Sequence, residues 1–147
     1  MDLHRLFDDV IRFEMEIWEA VDRRLRAEHS LPLSWFEPMR AIDRIENCRA
    51  SDIATELSIT EGGTSKLVAR IEAAGYCERT PNPDDRRASF ITLTPAGEDM
   101  LTIATQTFGR ELEPWFQSVS ADDLQHFATT LATLRVRKPI PTTGVTP

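Results

Sequence analysis

The chain has 147 residues, a length that suits one ordinary domain able to bury about two-thirds of its unfolded surface. Apolar residues make up 41% and charged residues 28%, close to globular averages. That excludes wholesale disorder, and no apolar run approaches the ~20 residues of a membrane helix. The net charge of −7 argues against a protein that coats nucleic acid by bulk charge. The charge is unevenly spread. Met1 to His29 holds eight acids and five bases, whereas Thr60 to Phe90 holds five of each, so the central segment is the less hostile to phosphate. The opening Met1–Val10 stretch is charged at once and lacks the apolar run of a signal peptide, so a cytoplasmic protein with no membrane partner is expected.

In chain order, Leu3, Leu6, Val10, Phe13, Ile17, Val21 and Leu25 recur every three or four positions. They predict a first helix of about six turns with one apolar stripe. A stripe that long needs a partner surface, either its own domain or a second subunit. Leu31-Pro32-Leu33-Ser34 interrupts it. Ser34 with Glu37 has the form of a capping box for a helix from Trp35 to about Asn47, with Met39, Ile42 and Ile45 inward. A short helix over residues 49–58 follows, then a turn. Thr60 has the character of an N-cap for a helix over Glu61–Ala74, with Leu67, Val68, Ile71 and Ala74 inward and Gly75 as its stop. The proportions are those of a helix-turn-helix.

The period then changes. Residues 76–80 and 90–94 read as two strands around the turn-rich, charged tip Pro81–Arg87. Thr94 and Pro95 predict the start of a helix reaching about Phe116, with Met100, Ile103 or Ala104, Phe108, Leu112 and Trp115 inside. Ser120 with Asp123 starts a last helix carrying Leu124, Phe127, Leu131 and Leu134. The Pro/Thr-rich residues 138–147 show no core face and read as a flexible tail. The fold expected is mainly α with a small β-hairpin wing. Residues 34–94 form the winged helix-turn-helix region, flanked by residues 1–33 and 95–137.

A helix-turn-helix followed by a hairpin is suited to DNA. The second helix fits the major groove, and the hairpin tip reaches the backbone or minor groove, where Arg86 and Arg87 are the natural contacts. Catalysis has no comparable support. There is no nucleophile elbow, Walker loop or metal-ligand cluster, and His4, His29 and His126 lie far apart. No enzyme, catalytic residue, metal or cofactor is expected. Cys48 and Cys77 lie outside any CxxC pair and read as reduced thiols, with a thiol redox sensor as an alternative role.

The stretch from Ser51 to Thr60, then Thr64 to Gly75, Asn82 to Arg87, and Leu93-Thr-Pro-Ala-Gly97 resembles the MarR family of transcriptional regulators. The resemblance runs over roughly residues 5–136. It implies a homodimer whose first and last helices interleave. It also implies binding to a pseudo-palindromic operator in double-stranded DNA and release by a small aromatic or anionic ligand. With no activation segment legible, the chain reads most simply as a repressor.

Carried onto this chain, Thr60 caps the recognition helix and can meet a phosphate. Thr64, Ser65 and Lys66 belong to the DNA set, with Arg70 on the flank for phosphate. Asp85 matches the acid that fixes the wing loop, and Arg86 and Arg87 match the arginines that enter the groove. Glu61-Gly62-Gly63 departs from the longer polar side chains usual there. Gly62 and Gly63 suit a close approach of backbone to DNA, at up to ~1 kcal/mol each in helix propensity. For a ligand, the resemblance points to Trp18 and Trp35, with Arg12, His29 and Arg40 offering charge to an anion. A winged-helix protein–protein interaction module without DNA binding is the reading from another class.

Overall fold

A computed structural model describes residues 1–85 and 88–135. Among these are six helices and one two-stranded antiparallel sheet. Helix α1 spans Leu3–His29. Asp2 starts it, its side chain accepting from the backbone N–H groups of His4 at 3.0 Å and Arg5 at 3.3 Å, which satisfies two of the orphan donors of a helix start. Ser30 ends it in the left-handed conformation, φ 54°. Only the C-terminal part of the expected stripe is sealed. Val21 and Leu25 are buried, Ile17 packs against the core, and Leu3, Leu6 and Val10 stay exposed.

Helix α2, Leu33–Arg44, starts earlier than the sequence suggests and ends three residues sooner than Asn47. The Ser34–Glu37 capping box does not form. Pro32 occupies the cap position without a side-chain acceptor. The missing acceptor comes from α1: Asp22 Oδ1 takes the Leu33 N–H at 2.8 Å, and its Oδ2 takes Arg26 Nε at 2.8 Å. Glu37 instead accepts from Arg40 at 2.8 Å. With its phase set by Pro32, α2 buries Leu33, Phe36, Met39 and Ile42.

Helix α3, Ala50–Leu57, and helix α4, Glu61–Ala73, form the helix-turn-helix. Ser58 makes the turn at φ 54°. Ile53 of α3 and Val68 and Ile71 of α4 join the central core; Leu67 packs at its edge and Ala74 is exposed rather than inward. Gly75 at φ +85° ends α4. The Tyr76 N–H reaches the Ile71 carbonyl at 3.1 Å and the Gly75 N–H the Glu72 carbonyl at 2.9 Å, the bonding of a Schellman cap.

Strands β1, Cys77–Thr80, and β2, Phe90–Leu93, pair antiparallel with Cys77 opposite Leu93 and Thr80 opposite Phe90. The Ile91 N–H also donates to the Cys48 carbonyl at 2.7 Å, tying the hairpin to the segment before α3. Helix α5, Pro95–Phe116, buries Gly97, Leu101, Ala104 and Thr107. Its face therefore runs through Ala104 and not Ile103, which is 46% exposed.

Residues up to Leu112 make one compact unit and those from Glu113 a second. The described part of the second holds helix α6, Ala121–Arg135. Ser120 caps α6, its Oγ accepting the Asp123 N–H at 3.1 Å. α6 has no buried residue, and Phe127, Leu131 and Leu134 are exposed. The tail expected at 138–147 lies outside the described residues.

Candidate nucleic-acid interface

The amphipathic pattern of α4 separates a core side from an open side. Val68 and Ile71 are fully buried, while Ser65, Lys66, Ala69 and Arg70 are exposed. The start of the helix is fixed by Thr60, whose Oγ1 accepts the Gly63 N–H at 3.2 Å. Thr64 departs from the expected outward set. It is 0% exposed, and its hydroxyl donates to the Thr60 carbonyl at 2.8 Å. A threonine can turn inward there because that bond satisfies the hydroxyl without water.

The two glycines differ. A Cβ on Gly62 would have no neighbour within 4 Å, whereas one on Gly63 would stand 3.0 Å from Thr60 Oγ1. Gly63 thus keeps the cap from being crowded. Nothing inside the fold requires Gly62 to lack a side chain.

The hairpin tip lies beside this helix. Asn82 Oδ1 accepts the Asp84 N–H at 2.9 Å, and the Ala88 N–H donates to the Asp85 carbonyl at 3.2 Å. Arg86 and Arg87, the expected groove contacts, lie outside the described residues. Between α3, α4 and the hairpin runs a cleft of about 370 Å³, lined by Arg49, Arg79, Ser51, Ser65, Glu61 and Asp85 among others.

Arg49 and Arg79 were not singled out from sequence. Arg79 leans on α4, donating to the Ser65 carbonyl at 3.3 Å and lying 3.7 Å from Glu72. Arg49 sits at the start of α3, 3.4 Å from Asp52. Strand alternation would place Arg79 on the face of the buried Cys77, yet all of β1 after Cys77 is exposed, and its neighbour on α4 is a tertiary fact. Glu61 and Asp85 offset the two arginines in this cleft.

The five expected ligand residues do not come together. Trp18 and Arg40 line a cleft of about 310 Å³ between α1, α2 and α5, with Glu14, Glu37, Phe108 and Leu112. Trp35 packs against the core instead. Arg12 lines a separate groove along α1 with Phe7 and Met15. His29 is tied to α5, its Nε2 2.7 Å from Thr107 Oγ1, and Thr107 in turn donates to Glu28 Oε2 at 3.0 Å. That hydrogen bond from Thr107 is the main reason the Glu28 carboxyl titrates below its ordinary range, with Arg110 and Arg24 adding to the effect against partial desolvation.

The redox reading loses its chemistry. Cys48 and Cys77 are both buried, and burial pushes each thiol up to about 11, with Asp52 adding at Cys48 and Glu72 at Cys77. The thiolate is the reactive form, and both groups are held as thiols near neutral pH.

A capped, outward-facing second helix behind a short first one, with a hairpin at its flank, defines a winged helix-turn-helix protein. Residues 31–89 match the MarR family model. The HTH-type transcriptional regulator BilQ of Clostridioides difficile (strain CD3) is 35% identical over 60 residues, covering 41% of this chain and 40% of that protein. The uncharacterized HTH-type transcriptional regulator YwhA of Bacillus subtilis (strain 168) is 26% identical over 96 residues, covering 65% of this chain and 69% of that one. The match thus spans less than half the length of the first relative. Among solved structures, Sco3205, a MarR family transcriptional regulator from Streptomyces coelicolor in complex with DNA, superposes with a TM-score of 0.83 at 18% identity, covering 90% of this chain and 84% of that one. The MarR family match thus lies in the helix-turn-helix and hairpin region, and the fold of a MarR family regulator is shared over 90% of the chain.

Proposed function

We propose that this chain binds double-stranded DNA as a homodimer and regulates transcription, most simply as a repressor in the cytoplasm. Each subunit lays α4 in the major groove of one half-site of a pseudo-palindromic operator. The observation that carries the reading is the division of α4: Thr64, Val68 and Ile71 sealed inside, with Ser65, Lys66, Ala69 and Arg70 all on the open side. A face of that width fits the major groove, and the half-sites then lie roughly 34 Å apart. Ser65 and Lys66 reach base edges or nearby phosphates, and Arg70 a phosphate. Thr60, with Gly62 and Gly63, brings the helix start close to the backbone. In the wing, Asp85 steadies the loop while Arg86 and Arg87 extend to the flanking groove. Arg49 and Arg79 add charge between helix and wing. The likeness to a regulator solved with DNA supports this reading.

Residues 1–33 and 95–137 are the dimerisation parts of the proposal, and 34–94 the DNA-binding part. The exposed apolar side chains Leu3, Leu6, Phe7, Val10 and Ile11 on α1 support it, as do, separately, Phe127 and Leu131 on α6, because apolar side chains grouped in the open on one helix mark an interaction site. Release by a small ligand belongs to the same reading, with Trp18 and Arg40 at its cleft.

The test is an anisotropy titration on DNA from upstream of the chain's own gene, with excess competitor and at two salt concentrations, beside sedimentation of the free protein. Saturable, competitor-resistant binding by a dimer, weakened by salt, is the expected result. A monomer, or no binding there and none to a random-sequence library at low salt, would leave the protein-interaction module as the better reading.

A further inference from the structure

We infer that the cleft between α1, α2 and α5 takes a small aromatic cation, opposite in charge to the anion anticipated from the resemblance. Two carboxylates and one guanidinium line it, those of Glu14, Glu37 and Arg40. The guanidinium is already engaged. It donates to Glu37 at 2.8 Å and lies over the rings of Phe108, at 4.9 Å, and Phe36, at 5.6 Å. An anion would have to compete with Glu37 for it and sit against Glu14.

Neither of the other two cations offered for an anion lines the cleft. Arg12 faces another groove, and His29 is bound to Thr107. With Arg40 matched by Glu37, Glu14 is left without an ion pair among the described residues. Beside it stands Trp18, 43% exposed, and Leu112 and Phe108 complete apolar walls around about 310 Å³. An indole face next to an unmatched carboxylate attracts a cation through the ring quadrupole and the full charge together. The volume suits a single ring bearing an ammonium group.

The ligand class rests on the proposed regulatory function only for its biological meaning, so the experiment is run without DNA. The full-length protein is titrated calorimetrically with benzyltrimethylammonium and, separately, with phenylacetate. The expected result is a dissociation constant at least about tenfold lower for the cation, since carboxylate and indole both favour it. Glu14→Gln weakens cation binding by about fivefold, with unchanged thermal midpoint and unchanged dimerisation. Equal or tighter binding of phenylacetate overturns the inference. So does an unaltered cation affinity in Glu14→Gln, or the absence of binding by either probe, which is the outcome if a second copy of the chain fills the cleft. DNA binding stands or falls separately in each case.

Discussion

The carbonyl oxygen of Tyr76 occupies the space where a side chain on Gly97 would begin, 1.9 Å from the position of a Cβ there. Around this contact the end of the recognition helix is bonded to the start of α5. The Thr94 N–H donates to the Tyr76 carbonyl at 3.1 Å, Thr94 Oγ1 donates to the Gly75 carbonyl at 2.5 Å, and the same Oγ1 accepts the Gly97 N–H at 3.1 Å. One threonine thus caps α5 and clamps the exit of α4.

Gly97→Ala therefore forces backbone apart. It is expected to cost about 3 kcal/mol, the upper part of the range for overpacking a tight site. A thermal or urea denaturation series measures it. A midpoint within error of the unsubstituted chain would contradict the contact.

Gly62→Ala acts in the opposite direction. With no neighbour within 4 Å, the added methyl meets no clash, and first-turn helix propensity improves by about 0.5 kcal/mol. The variant should melt at a slightly higher temperature. Its affinity for DNA should fall, because the proposed interface brings the peptide at Gly62 against the duplex. Undiminished affinity would remove this residue from the contact set.

Asp22→Ala removes the acceptor for the Leu33 N–H and the partner of Arg26. A loss of about 1 kcal/mol is expected, as for a deleted N-cap. Asp22→Asn, which keeps a side-chain oxygen, should retain most of that stability in the same denaturation assay.

The two cysteines give a pH-dependent signature. Each thiol moves from 9.0 to about 11 on burial, and a folded-state value above the unfolded one means the folded form holds its proton longer. The stability associated with these protonated thiols is complete below pH 9 and is lost as pH rises toward 11. At pH 8 their reaction with a disulfide reagent should be roughly a hundredfold slower than that of a free thiol, as a two-unit rise implies. Reaction at the free-thiol rate in the native protein would contradict this.

Much of the fold was legible because its helices carry 3.6-residue periods bounded by real stop signals. Gly75 and Thr60 show this well, each acting locally as its residue type suggests. The departures come where a particular hydrogen bond or the packing of one element on another decides. Ser34 and Glu37 satisfy a local capping pattern, yet the helix starts at Leu33 because Asp22, eleven residues earlier, supplies the acceptor. Thr64 joined the DNA set through the resemblance, but the Thr60 carbonyl satisfies its hydroxyl and lets it into the core. Ile103 and Ala104 are adjacent, and periodicity alone does not choose between them. The same limit divided the ligand set. Trp18 and Arg40 line one cleft from different helices, whereas Trp35, Arg12 and His29 belong to other faces whose rotation no single-chain pattern sets. Arg79 was passed over because its importance lies in what it touches on α4.

The most direct test of DNA recognition by α4 is the salt dependence of operator affinity for the unsubstituted protein and for Arg70→Ala. Arg70 is exposed on the open side of the helix, so its removal leaves the core untouched. In the proposed dimer it would contribute one phosphate contact per subunit, and the slope of log affinity against log salt should become shallower by about 2. An identical slope and affinity in both proteins would contradict the placement of this helix face on DNA.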